Sequence, residues 1–229
     1  MTTPIVLLHG LGGSPAAWGR VRPLLDGDVI APKLAGDSIE ADADRVAEVV
    51  SAPAIVVGHS RGGLVATALA ERHPELVKRL VLVNATPTRD SRISATGLSE
   101  RILEIPLVGE VIWRNLPTAV VAKGLASAFA PGTPVPGQFV RDLQATRLTT
   151  FLSATRAIDA YLETSPLGAR LTALSQPTQI IYGTADQRVD PAAFGALAGI
   201  DGVTVTSLPS VGHTPIWERP EAVAAAIMA

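Results

Sequence analysis

No cysteine occurs among the 229 residues, so disulfides and thiolate metal sites are excluded. Charge is sparse as well. Asp, Glu, Lys and Arg make up 17% of the chain and the formal net charge is −2, which leaves no basic surface for nucleic acid or an anionic membrane. No apolar run approaches the ~18 residues of a membrane span. The stretch MTTPIVLLHG enters an apolar run with no basic region and no small-residue cleavage site, so the expected location is the cytoplasm. Aromatic residues account for only 4%, whereas apolar residues reach 47%, enough for one large core. The length suits a single domain, or one domain carrying an insertion.

Short apolar runs recur along the chain: Ile5–Leu8, Val29–Ala31, Ile55–Val57, Leu80–Val83, Gln179–Tyr182 and Val203–Leu208. Most are continuously apolar, as strands buried on both faces of a parallel sheet must be. The last alternates, which fits an edge strand. Helices are expected between them at Ala16–Leu25, Ala41–Val50, Gly62–Arg72, Ala192–Ala198 and Pro220–Met228. Such alternation predicts an α/β fold with right-handed crossovers.

One interval breaks the rhythm. From about Pro87 to Leu174 the pattern is helical, in SERILEI, GEVIWRN, TAVVAKGLASAFA, GQFVRDLQATRL and FLSATRAIDAYLET, with PGTPVPG as a loop between. Residues 87–164 therefore read as a helical cap inserted into a core of 1–86 and 165–229. A cap belongs over the strand C-termini, where open α/β sheets bind ligands.

The stretch IVVGHSRGG carries the chemistry. A strand ending at Gly58 and a helix starting at Arg61 leave Ser60 on a tight turn, its hydroxyl clear of the sheet. Strand and helix nearly collide there, so the residues two before and two after must be tiny, and Gly58 and Gly62 are. The G-x-S-x-G pattern alone is also what a glycine-rich βα turn would show, and its companions must decide. A nucleophilic serine needs a base, then an acid to orient it, in chain order Ser, Asp or Glu, His. Only four histidines exist. His59 adjoins Ser60 and cannot readily turn back onto its hydroxyl. His73 is 13 residues along the same helix, about 20 Å away. His9 precedes the serine and reads as support for the loop after it. His213, past the final strand, remains as the base. For the acid, Asp186 in YGTADQRVDP is favoured, and Asp190 before Pro191 reads as a helix N-cap. The oxyanion requires two backbone donors, expected at Arg61 and at Leu11 in the loop HGLGGSPAAW. That loop lacks both the Lys-[Ser/Thr] of a P-loop and the spacing of a dinucleotide fingerprint.

With HGLGGSPAAW, GHSRGG, YGTADQRVDP and GHTPIWERPEAV together, the chain resembles the serine hydrolases of the α/β-hydrolase fold, in the compact bacterial single-domain type with a helical cap (esterase-, lipase- or haloperoxidase-like). The resemblance covers essentially the whole chain. It implies a mostly parallel sheet flanked by helices, Ser60 as nucleophile, His213 as base, Asp186 as acid, and Leu11 and Arg61 as oxyanion donors. Serine at the elbow speaks against the dehalogenases and epoxide hydrolases of this fold, which use aspartate there. Two departures stand out. PKLAGDS (residues 32–38) replaces the family's D-x-P-G-x-G-x-S loop, and the opening antiparallel strands are missing.

Phe129, Phe139, Phe151 and Trp113 fall within the cap interval, either packing it onto the core or lining an apolar pocket. Trp18 and Trp217 read as buried anchors. The Arg61 side chain is expected either to point outward or to meet an anionic substrate group. The expected activity is hydrolysis of an ester or thioester of a small, apolar substrate through an acyl-serine, with no metal or organic cofactor. C–C hydrolase, lyase or cyclase chemistry at the same site, and a non-catalytic ligand receptor, stay open. Oligomeric state is left open too.

Overall fold

In the computed structural model, which describes residues 3–93, 103–105 and 107–229, the apolar runs become six strands of one sheet. They are β1 (Ile5–Leu8), β2 (Val29–Ile30), β3 (Ala54–His59), β4 (Val77–Val83), β5 (Thr178–Gly183) and β6 (Val203–Leu208). The order is β2-β1-β3-β4-β5-β6 and every pairing is parallel. Successive side chains leave opposite faces of the sheet. Val6, Leu8, Val56, Leu80, Leu82 and Ile180 fill one layer, and Ile5, Leu7, Val57, Val81, Val83 and Ile181 fill the other. Both layers are sealed, which is why these strands read as unbroken apolar runs. β6 lies at the edge and alternates in burial, as expected.

Helices cover both faces: α1 (Ile39–Ala47), α2 (Arg61–Arg72), α3 (Val108–Arg114), α4 (Thr118–Leu125), α5 (Gly137–Ala145), α6 (Leu148–Thr164), α7 (Leu167–Ala173) and α8 (Pro220–Met228). Leu64 and Leu69 of α2 join the first layer with Ile158 and Tyr161 of α6, whereas Val223 and Ile227 of α8 join the second with Trp18. The parallel sheet flanked by helices is the architecture expected from the sequence. Between β4 and β5 the described residues hold no strand beyond a single bridge, Arg92 to Val189, and α3 to α6 occupy that interval. Most of SERILEI lies outside the described residues.

Two expected helices are different. Ala16–Leu25 is a pair of 3-10 turns, Pro15–Trp18 and Arg22–Leu24. Gly19 follows the first, and Pro23 has no amide to continue an α-helical ladder. Ala192–Ala198 is likewise 3-10, over Pro191–Leu197, with Asp190 accepting from the Ala192 amide at 2.9 Å. Asp190 is thus the cap it was expected to be.

The chain passes from β1 outward to β2, then returns to place β3 on the other side of β1. The loops leaving β1 and β3 therefore diverge and open a crevice at the C-terminal edge of the sheet. His9–Gly13 forms one wall and Ser60 the other.

Candidate active site

Ser60 sits between the last residue of β3 and the first of α2 with φ 53° and ψ −120°. A non-glycine residue there is strained, at a cost on the order of 1–3 kcal/mol. The surroundings enforce it. The Ser60 amide donates to the Val83 carbonyl at 2.8 Å, and the Gly63 amide donates to the Ser60 carbonyl at 2.9 Å. A Cβ on Gly58 would lie 2.2 Å from the Gly62 carbonyl oxygen, and one on Gly62 would lie 2.3 Å from that of Leu8. The crowding inferred from the motif is a collision of main chains.

His213 follows β6, and its ring reaches back over the elbow. Ser60 Oγ is 2.9 Å from His213 Nε2, and His213 Nδ1 is 2.7 Å from Asp186 Oδ2. Asp186 lies three residues past β5 and its side chain is fully buried. Its Oδ1 accepts from the Arg188 amide at 2.7 Å and the Val189 amide at 3.1 Å, and its Oδ2 also accepts from Asn84 Nδ2 at 2.6 Å. Burial works to raise this carboxyl, but the facing imidazole, the Arg188 amide and the Asn84 amide outweigh it, so the net shift is downward. An ionised Asp186 accepts the hydrogen bond from His213 Nδ1–H, which leaves Nε2 as acceptor for the serine hydroxyl. Asp190 takes no part in this chain of bonds.

The other histidines have separate tasks. His9 Nε2 accepts from the Leu34 amide at 3.0 Å, tying the loop after β1 to the loop after β2. Burial lowers its pKa, partly opposed by the Gly10 carbonyl. His73 ends α2 and meets Asp44 at 2.9 Å, away from the elbow. His59 Nε2 donates to the His213 carbonyl at 2.8 Å and so holds the His213 main chain from behind. Burial, and then the charge of His213, push its pKa from 6.5 down to about 3, against the pull of the His213 carbonyl.

His59 therefore stays neutral in the fold at pH values where the unfolded chain protonates it. Its contribution to stability is full above pH 6.5 and is lost as the pH falls from there toward 3. The variant His59→Gln keeps an N–H donor without a titrating ring. Urea melts between pH 6 and 4 are expected to show a stability slope shallower than wild type by up to roughly 1.4 kcal/mol per pH unit. Equal slopes would contradict this.

Leu11 lines the same crevice as Ser60. Arg61 opens α2, so its amide is one of those a helix cannot satisfy internally. Its side chain, however, follows neither expectation. Arg61 is 2% exposed and turns under the loop after β2, where Nη2 lies 2.7 Å from Asp42 Oδ2 and donates to the Asp37 carbonyl at 3.0 Å. Asp42 also accepts from the Ala35 and Gly36 amides at 2.9 and 3.1 Å. The atypical PKLAGDS segment is thus folded around a buried ion pair. Sequence reasoning missed Asp42, although it shares the inward stripe of α1 with Ile39, Ala43 and Val46, an odd place for a carboxylate. Asp42→Ala leaves the guanidinium buried and two amides unmatched. The expected loss is about 3–5 kcal/mol, read as a lower urea midpoint at pH 7.

The residues flanking His213 are bonded to the segment after α4. Thr214 Oγ1 donates to the Ala128 carbonyl at 2.7 Å, Glu218 Oε1 accepts from the Ala130 amide at 2.9 Å, and Gly212 touches the Phe129–Ala130 backbone so closely that a Cβ would lie 2.3 Å from the Ala130 nitrogen. Phe129 packs edge-on against Phe139, and Phe139 against Trp217. These aromatics join the inserted helices to the core. Phe151 instead packs at a tilt against Trp113, with ring centroids 5.0 Å apart, and lines the crevice. Trp18 is fully buried, while Trp217 is only half-buried.

Two cavities meet at Ser60 and His213, one of about 260 Å³ and one of about 50 Å³. A separate cavity of about 340 Å³ lies beyond the His9–Gly13 loop, against residues 145–154, and includes neither side chain. Among the described residues no cluster of acidic and histidine side chains is arranged to hold a metal, and no helix is long and apolar enough to cross a membrane.

Residues 5–226 match the family described as "Alpha/beta hydrolase family". A pimeloyl-(acyl-carrier protein) methyl ester esterase of Aromatoleum aromaticum is 30% identical over 246 residues, covering 95% of this chain and 93% of that protein. Among solved structures, a thermophilic esterase from Thermogutta terrifontis aligns with TM-score 0.77 and 24% identity, covering 100% of this chain and 89% of that one. The enol-lactonase from Burkholderia xenovorans aligns with TM-score 0.79 and 21% identity, covering 100% and 90%. With a match of that extent over a six-stranded parallel sheet, the chain belongs to the α/β hydrolase family.

Proposed function

We propose that this protein is a serine esterase that cleaves a carboxylic ester or thioester of a small molecule through an acyl-serine intermediate. The observation that carries the reading is the unbroken path from the Ser60 hydroxyl through His213 to Asp186, with contacts of 2.9 and 2.7 Å, opening onto the two cavities. The esterase relative, similar along nearly its whole length, supports the bond type.

Ser60 Oγ attacks the carbonyl carbon while its proton passes to His213 Nε2, and the carbonyl π electrons move onto oxygen. The Leu11 and Arg61 amides stabilise that oxyanion, each worth about 10²–10³ in rate. The tetrahedral adduct collapses with release of the alcohol or thiol, which takes the proton from His213. Water, deprotonated by the same imidazole, then attacks the acyl-serine and returns Ser60 with the acid as second product. Asp186 holds the imidazole tautomer and stabilises its protonated form. The unequal cavities suit an acyl group on the larger side and a short alcohol on the smaller. The helices between β4 and β5 act as a cap over the site, limiting the water that reaches it to what deacylation uses.

A fluorophosphonate probe with peptide mapping tests the reading. Labelling is expected on Ser60 and lost in His213→Ala. A folded protein that neither labels nor hydrolyses methyl esters with short acyl chains would be a receptor on this fold.

A further inference from the structure

The larger of the two cavities has a mixed lining, with Leu11, Phe151, Ile158 and Val189 as its apolar wall, and two arginines line it while no carboxylate does. Arg92 is neutralised by its ion pair with Asp159. Arg188 is different. Its Nε reaches Ser127 Oγ at 3.3 Å and its Nη2 reaches the Gly124 carbonyl at 3.1 Å, both neutral acceptors. Among the described residues its Nη1 has no hydrogen-bond partner and no carboxylate ion-pairs with it. The closest anion, Asp186, spends its oxygens on His213, Asn84 and two backbone amides. Arg188 also lines the smaller cavity, so it borders both of the cavities that meet at Ser60.

A half-buried cation without a counterion carries a desolvation cost that an incoming anion would offset. Burial indeed pushes the Arg188 guanidinium below its ordinary value, only partly opposed by Asp186. A planar guanidinium with open N–H groups matches a carboxylate in geometry as well as charge. Leu11, Phe151, Ile158 and Val189 supply apolar contact in the same cavity that Ser60 and Arg188 line.

We propose that Arg188 determines specificity here by binding a carboxylate at the far end of the acyl group, so that the substrate is a mono-ester of a short dicarboxylic acid. This rests on the serine-esterase reading and narrows it to a substrate class. The two bonds from Arg188 to Ser127 and Gly124 act as a clamp that aims the open edge of the guanidinium into the cavity.

Monomethyl glutarate and methyl pentanoate form the test pair, because they present the same leaving group and similar length with and without the charge. Proton release in a pH-stat follows both. The wild-type protein is expected to favour the glutarate ester by at least tenfold in kcat/KM, mainly through KM, as a charge-assisted hydrogen bond would give. In Arg188→Gln the ratio is expected to collapse toward one, with partial return in Arg188→Lys. No preference in the wild type would overturn the proposal, and so would an Arg188→Gln variant that loses both activities in equal proportion, since that is the mark of a tether alone. Should the variants fail to fold, the wild-type ratio decides by itself. Fluorophosphonate labelling separates the two readings. A protein that labels at Ser60 without preferring the anionic ester sinks only the Arg188 assignment, and one that does not label sinks both.

Discussion

Ser60→Ala is expected to lower kcat/KM on methyl esters by a factor on the order of 10⁴–10⁶ while leaving the protein folded. The hydroxyl donates to His213 Nε2 and has no role in holding the elbow, which is fixed by main-chain bonds to Val83 and Gly63. Alanine keeps the Cβ and inherits the same φ of 53°, so the strain is unchanged and the urea midpoint should move little. The Leu11 and Arg61 amides proposed to hold the oxyanion survive the substitution, and a remnant of rate enhancement over water should survive with them. A variant retaining activity within a hundredfold of wild type would show that another group delivers the nucleophile.

Gly58→Ala is expected to be worse for the fold than any side-chain deletion in the core. The added methyl would meet the Gly62 carbonyl oxygen at 2.2 Å, its carbon at 2.4 Å and the Gly63 Cα at 2.5 Å, all main-chain atoms that no rotamer change can move. Relief requires α2 to separate from β3, and α2 carries ten buried residues of the central layer. The cost should exceed about 4 kcal/mol, a range reserved for backbone collisions and lost cores. Soluble yield and urea unfolding are the measurements. Gly195→Ala, where the new methyl meets nothing within 4 Å, is the control and should fold as wild type does. Comparable yields for the two variants would mean that the βα junction is far looser than its geometry implies.

The parts of the site that were legible before the structure share one property. They could be found by scarcity and order. Four histidines and a fixed chain order allowed elimination, and the N-cap reading of Asp190 before Pro191 left Asp186 as the acid. The inner strands were legible because both faces of the sheet are sealed there, which leaves runs such as Ile5–Leu8, Ile55–Val57 and Leu80–Val83 without a polar residue. What escaped notice depended on pairing across the chain. Asn84, with φ 47°, ends β4 and reaches Asp186 more than a hundred positions away. A polar residue closing an apolar strand was its only advance sign. Asp42 and Arg61 are individually unremarkable in a sequence and meaningful only as a pair. The open guanidinium of Arg188 was hidden in the same way, because the absence of a counterion is a fact about neighbours. The 3-10 turns at Pro15–Trp18 and Arg22–Leu24 were mistaken for one helix on apolar spacing, although Gly19 and Pro23 announced the break.

The bonds between Thr214 and Ala128, and between Glu218 and Ala130, have a kinetic corollary. Thr214 adjoins His213 directly, and Glu218 also accepts from the Gly212 amide on its other side. Displacing the segment after α4 would therefore pull on the main chain at both sides of the imidazole. A molecule that reaches Ser60 without moving that segment would leave the Ser60–His213 contact undisturbed.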